Sequence, residues 1–123
     1  IYIYIYGSHD FYNGYVFCMG DYVCWSASVD DLSDWRYETA GFKYFDCHNI
    51  TAMSIQTRGY CDGVFEIRTS WEGEILGEIR VAYTNFWETF STQVRIPDGV
   101  QAIYLTYRGG GNASLRSFNL QSD

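Results

Sequence analysis

Residues 64–107 carry the pattern that most restricts the fold, because apolar and polar side chains alternate there. In the stretch 64–71 the side chains of Phe65, Ile67 and Trp71 would share one face, and a second alternating run follows at 90–96. A period of two is typical of β-strands that bury one face. The sequence Pro-Asp-Gly at 97–99 predicts a turn, and the apolar run 102–107 after it predicts a central strand.

The rest of the chain has the same character. Ile and Tyr alternate strictly over residues 1–6, and further β-like runs occur at 41–47, 48–59 and 114–120. The 12 Tyr, 8 Phe and 4 Trp make up 20% of the chain, which contains one Pro, and this composition favours a packed sheet over disorder. We predict an all-β fold, an antiparallel β-sandwich or jelly roll of roughly eight to ten strands.

Two segments within this sandwich are predicted to be loops. Segment 82–89 is interpreted as a strand end and a loop that carries exposed aromatic residues around Trp87. The glycine-rich segment 108–112 (RGGGN) predicts a tight, flexible loop, since glycine adopts conformations closed to other residues.

The charge balance excludes several classes of partner. Fifteen acidic and 8 basic residues give a net charge of −7, which argues against nucleic acid and against anionic membrane surfaces. No apolar run approaches the ~18 residues of a membrane-spanning helix. The first residues have no basic region and no cleavage site, so we do not interpret them as a signal peptide, and localisation is left open.

The cysteines and histidines indicate no metal or catalytic centre. The spacing of Cys18, Cys24, Cys47 and Cys61 matches no zinc pattern, and three disulfide pairings are open to them. Without a signal peptide we favour reduced thiols that behave as small hydrophobic residues. Ser8, His9 and Asp10 are neighbours in an extended segment and cannot form a catalytic relay, and His48 is interpreted as a surface residue.

Residues from about 39 to 123 resemble a known module. The matching segments are AGFKYFDC at 40–47, IQTRG at 55–59, FEIRTS at 65–70, FWETFST at 86–92, GVQAIYLTYRGGG at 99–111 and SLRSFNL at 114–120. Their succession is similar to the C-terminal sandwich of bacterial family 43 glycoside hydrolases, which is related to family 6 carbohydrate-binding modules. This resemblance implies a jelly roll that binds polysaccharide or supports an attached enzyme.

Residues 1–38 resemble a different part of the same hydrolases. YGSHD at 6–10, DYVCWS at 21–26 and DLSDW at 31–35 are similar to the first blade of their catalytic propeller. The resemblance implies an internally deleted hydrolase in which this blade fragment is joined to the last module. We therefore expect a single domain over 1–123, in which 1–6 and 22–28 replace the module's own N-terminal strands.

The resemblance also implies which activities to expect. The family's catalytic carboxylates would lie outside the matching segments, so we expect no catalytic residue and no enzymatic activity. An aspartate that helps to bind calcium in family 6 modules corresponds to Arg116 here, so we expect no metal and no cofactor. The alternative to a binding module is a structural accessory or chimeric sandwich with no ligand, whose aromatic strands pack or mediate self-association.

The carbohydrate site implied by the resemblance is centred on Trp87, which corresponds to a tryptophan that stacks on a sugar. The early loop that should supply its aromatic partner is replaced, so Tyr12, Tyr15 and Tyr22 are the candidates. Ser114 corresponds to a polar asparagine of the last strand, and Asn112 lies nearby. The implied partner is a polysaccharide or oligosaccharide of the xylan or arabinoxylan type.

Overall fold

The computed structural model describes the backbone of residues 2–4, 9–12, 16–18, 22–26 and 39–122, with side chains within 22–25 and 39–122. The described part contains ten strands: β1 (Tyr2–Tyr4), β2 (His9–Tyr12), β3 (Val16–Cys18), β4 (Val23–Ser26), β5 (Thr39–Cys47), β6 (Ile50–Gly59), β7 (Cys61–Arg68), β8 (Gly77–Val81), β9 (Thr84–Ile96) and β10 (Gly99–Ser122). No helix that could span a membrane occurs among these residues.

The strands form two antiparallel sheets that share β10. The first half of β10 pairs with β5 and β7, and β2 and β8 extend that sheet beyond β5 and β7. The second half pairs with β6 on one side and with β1 and β4 on the other, while β9 and β3 extend this sheet beyond β6 and β4. The predicted antiparallel β-sandwich is confirmed, and we call the two layers the β5 sheet and the β6 sheet.

Large apolar side chains fill the space between the two sheets. Trp25 of β4 is 1% exposed and meets Phe65 of β7 edge to face, with ring centroids 5.0 Å apart. Phe42 of β5 packs on Phe118 of β10 at 5.3 Å. Trp25 lies in the blade-like segment and Phe65 in the module-like segment, so the two segments contribute to one hydrophobic core.

The prediction of a loop at 108–112 is wrong. These residues continue β10, where Arg108–Gly111 pair with Cys61–Val64 of β7. Glycine permits this pairing because the two backbones approach closely: a Cβ on Gly111, whose φ is +72°, would lie 1.5 Å from the Tyr60 carbonyl oxygen. Glycine here marks close contact of two strands rather than a loop.

The prediction of a loop around Trp87 is also wrong for most of its length. Only Ala82 and Tyr83 lie outside the strands, and β9 begins at Thr84. The partner strand explains the difference, because β6 extends to Gly59 and pairs with Thr84 and Glu88. Trp87 therefore lies on a strand, within the register shift between these two pairs.

The cysteines of the described part are free thiols. Cys47 and Cys61 are buried, and burial raises the pKa of both thiols. Cys24 is half-buried on β4, whereas the side chain of Cys18 lies outside the described residues. The predicted reduced state is what the structure shows for these three cysteines.

Candidate functional site

Trp87 lies on the outer face of the β6 sheet, near the start of β9. The buried side chains of β9, Val94 and Ile96, fall on even-numbered positions, so Trp87 and Thr89 point away from the core. The indole is half-buried because neighbouring side chains of the same face surround it. Part of an aromatic surface is thus available to a ligand.

Two arginines contact the indole. The guanidinium carbon of Arg58 on β6 lies 4.9 Å from the ring centroid of Trp87, and that of Arg116 on β10 lies 5.0 Å from it. Both distances fit cation–π contacts. Arg58 pairs directly with Ser114 across the β6–β10 ladder, which brings β10 beside the tryptophan.

Gln56 fixes the position of Arg116. Its Oε1 accepts hydrogen bonds from Nε and Nη2 of Arg116, at 3.1 and 2.8 Å, and from Oγ of Ser117 at 3.2 Å. A β-bulge between Leu115 and Ser117 displaces Arg116 from the regular ladder with β6. The guanidinium is therefore oriented by a residue of the neighbouring strand β6.

Of the three tyrosine candidates, the structure brings Tyr22 to Trp87. The two rings meet edge to face with centroids 5.7 Å apart, and Tyr22 is half-buried just before β4. Tyr12 lies on β2, whose backbone pairs with β5 in the opposite sheet, and its side chain lies outside the described residues. Tyr15 also lies outside them.

Ser114 and Asn112 lie on the same stretch of β10 as Arg116. Ser114 is half-buried between Arg58 of β6 and Cys24 of β4. Asn112 is exposed, and its backbone N–H donates to the Tyr60 carbonyl at 3.1 Å. The alternation along the strand places Ser114 beside the cluster and Asn112 further towards the end of the sheet.

A depression of about 100 Å³, lined by polar and apolar side chains, adjoins this cluster. Gln56 belongs to both, and Thr89 on the rim is two residues beyond Trp87 on the same face. Its lining combines hydroxyl and amide side chains with two apolar ones: Ser54, Ile55, Gln56, Thr89, Ser117, Phe118 and Asn119. A ligand that stacks on Trp87 could extend into it. A wider depression of about 380 Å³, with no aromatic lining, lies at the other end of β9.

Arg58, Arg116 and Gln56 were not among the predicted site residues. Alternation within β6 and β10 gives their outward direction, since Ile55, Thr57 and Leu115 point inward. Their meeting depends on the register of three strands that lie far apart in the sequence, and no local pattern encodes it. No three His, Cys, Asp or Glu side chains converge as a metal site in the part that the structure describes.

A second group of exposed aromatic residues lies at the end of the sandwich beyond Trp87. Tyr60 and Tyr83 stack with centroids 4.8 Å apart and an interplanar angle of 29°. They are 75% and 54% exposed, and Phe86 is 59% exposed. No arginine or glutamine arrangement like that at Trp87 accompanies this pair among the described contacts.

The fold is the β-sandwich of family 6 carbohydrate-binding modules. A module of that family from Clostridium cellulolyticum, solved in complex with xylose, superposes with a TM-score of 0.76 over 99% of this chain and 97% of its own, at 18% identity. A family 43 arabinoxylan arabinofuranohydrolase from Bacillus subtilis, in complex with cellotetraose, matches with a TM-score of 0.64 over 83% of this chain and 21% of its own, at 18% identity.

In sequence, the chain is similar to a xylosidase/arabinosidase from Thermoclostridium stercorarium. The two are 59% identical over 85 residues, which is 69% of this chain and 18% of the relative. The chain thus matches about a fifth of that relative's length. No family model matches the sequence. These findings confirm the resemblance drawn from the sequence, to a fragment of a family 43 glycoside hydrolase joined to a module related to family 6 carbohydrate-binding modules.

Proposed function

We propose that this chain is a non-catalytic module that binds oligosaccharide segments of xylan or arabinoxylan at the Trp87 face. The observation that carries the proposal is the arrangement of Trp87 with Tyr22, Arg58 and Arg116 on one exposed sheet face. The similarity to modules and enzymes of polysaccharide breakdown supports it.

The chemistry of the face suits a sugar. Sugar rings have an apolar C–H face that packs on an aromatic ring, while a few polar groups fix the orientation of the hydroxyls. Trp87 supplies the ring, and Ser114, Asn112 and the depression beside Gln56 supply hydroxyl and amide groups. An open sheet face also admits a long chain, which a closed pocket would exclude.

Titration calorimetry with xylo-oligosaccharides and arabinoxylo-oligosaccharides tests this proposal. The substitution Trp87→Ala removes the stacking surface and should weaken binding at least about tenfold, or about 1.4 kcal/mol. Tyr44→Ala is the matched control, because Tyr44 is 67% exposed on β5 in the opposite sheet. The affinity of this variant for the oligosaccharides should be unchanged. Equal binding by both variants, with both folded by circular dichroism, would contradict the proposal.

A structural accessory with no ligand is the second candidate. Two observations favour it: the indole of Trp87 already contacts three side chains of its own chain, and the stacked Tyr60–Tyr83 pair offers a surface for self-association. In that case no glycan gives heat, and the sedimentation coefficient rises with protein concentration. Turnover of an aryl glycoside above the blank would refute both candidates, since each is non-catalytic.

A further inference from the structure

The charge around Trp87 is opposite to that of the whole chain. The chain carries 15 acidic and 8 basic residues, yet Arg58 and Arg116 both lie on the Trp87 ring. Three other arginines of the described part have carboxylate partners, since Arg68 and Arg108 contact Glu66 and Arg80 contacts Asp62, whereas Arg95 at the far end of β9 has none there. No described carboxylate lies within ion-pair distance of Arg58 or Arg116.

Both guanidinium groups have donors to spare within the described contacts. Arg116 uses Nε and Nη2 on Gln56, which leaves the edge formed by Nη1 and Nη2 directed elsewhere. Arg58 is exposed and donates to no acceptor in the described part. Both guanidinium carbons lie within 5.0 Å of one ring centroid, so both groups adjoin a sugar that contacts Trp87.

A carboxylate is the group that fits two arginines beside a flat ring. A guanidinium binds it through two parallel hydrogen bonds, and such charge-assisted bonds are stronger than those to neutral hydroxyls. A neutral sugar needs no such pair. A uronic acid residue combines a sugar ring that stacks on an indole with a carboxylate at its edge.

The net charge restricts how many carboxylates the ligand can carry. A chain with a net charge of −7 repels polyanions over distances of the order of the Debye length, about 8–10 Å in physiological salt. A polyuronate would place a negative charge on every residue along this surface. A neutral backbone with isolated uronic acid branches presents one carboxylate to the two arginines and little charge elsewhere.

We propose that the Trp87 site selects neutral polysaccharides that carry single uronic acid branches, with Arg58 and Arg116 binding the carboxylate. This inference rests on the proposed function, because it names the sugar that the same site prefers. Trp87 supplies stacking for any sugar, and the arginines supply the preference.

The test compares three ligands by titration calorimetry on the unmodified chain at low salt. They are a xylo-oligosaccharide with one glucuronic acid branch, the same molecule with its carboxyl reduced to a neutral alcohol, and inorganic phosphate. We expect the acidic oligosaccharide to bind roughly tenfold or more tighter than its reduced form, with the difference shrinking in 0.5 M salt. Equal affinities would overturn this inference and leave the proposed function standing.

Two further outcomes separate the remaining explanations. Binding of neither oligosaccharide would overturn the proposed function and this inference together. Phosphate that competes as strongly as the acidic oligosaccharide would show a general anion site and overturn the inference.

The variant R58Q/R116Q should bind the acidic and reduced ligands equally. Arg95→Gln, at an exposed position near the far end of β9, removes a positive charge from the same strand as Trp87 and should keep the preference.

Discussion

Tyr107 of β10 is hydrogen-bonded to the neighbouring strand β7. Its ring is 1% exposed, and its hydroxyl accepts a hydrogen bond from the Asp62 N–H at 3.1 Å and donates one to the Gly110 carbonyl. Burial raises the pKa of the phenol to about 12, more than the bond from the Asp62 amide lowers it. The folded chain therefore favours the protonated phenol.

This shift predicts a loss of stability in alkali. The unfolded phenol loses its proton near pH 10 and the folded one near pH 12, so stability is complete below pH 10 and falls between these values. Tyr107→Phe should cost about 1–2 kcal/mol at pH 7, from its hydrogen bonds. The gap between the two proteins should narrow above pH 10, as urea unfolding would measure. A gap that stays constant to pH 12 would contradict the shift.

At the scale of the element, β10 shows how much could be predicted from local patterns. The turn at 97–99, the central strand at 102–107 and the final strand at 114–120 all follow from the period of two and from turn chemistry. That these strands are one continuous element could not be predicted, because it depends on Tyr60 and Asp62, at the connection from β6 to β7, meeting Gly109–Gly111. From the sequence alone a run of glycines predicts a loop, because the strand that pairs with it is not known.

Two neighbouring glycines of β10 give a matched test of this close contact. Gly111→Ala places a methyl group against the Tyr60 carbonyl at a positive φ, and it should destabilise the fold by about 2–4 kcal/mol. A Cβ on Gly110 meets nothing within 4 Å, so Gly110→Ala should change stability by less than about 1 kcal/mol. Thermal unfolding of both variants measures the difference. Similar melting temperatures would show that the strands part at this point.

Only part of the candidate site could be predicted from the sequence, namely its aromatic residues. The residue types of Trp87 and Tyr22, together with the family resemblance, placed both among the predicted site residues, and the structure brings them to 5.7 Å. The arginines were missed because charged residues on strands are usually solvated surface, and only the register of β6, β9 and β10 assembles them. The aromatic members of the candidate site follow from residue type and family resemblance, whereas the convergence of the arginines on Trp87 requires the tertiary fold.

At the scale of the whole molecule, we propose that residues 1–123 fold as one cooperative unit. The blade-like segment supplies β1 and β4, which both pair with β10, and Trp25, which lies in the core. The module-like segment supplies the remaining partners of β10. The β6 sheet contains strands from both segments, so the unfolding of one segment should be coupled to that of the other.

Deletion of residues 1–6 tests this coupling. It removes β1 and its pairing with Ser117–Asn119, and should cost about 1–3 kcal/mol from lost backbone hydrogen bonds. At this size a loss of 1 kcal/mol lowers the melting temperature by about 4 °C. Ile3→Pro, which places proline in the middle of β1 at the residue paired with Phe118, should act in the same direction with the chain length unchanged. An unchanged melting temperature in both would sink the proposal.

The strand shared by both sheets also governs how the sandwich responds to force. β10 runs from Gly99 to Ser122 without a break, and it has hydrogen-bonded neighbours along both halves. Tension along this strand must shear several ladders in both layers together, whereas tension across an edge such as β3 separates one ladder bond by bond. The molecule is therefore mechanically stiff along one axis and weak across another, although both directions draw on the same kind of hydrogen bond.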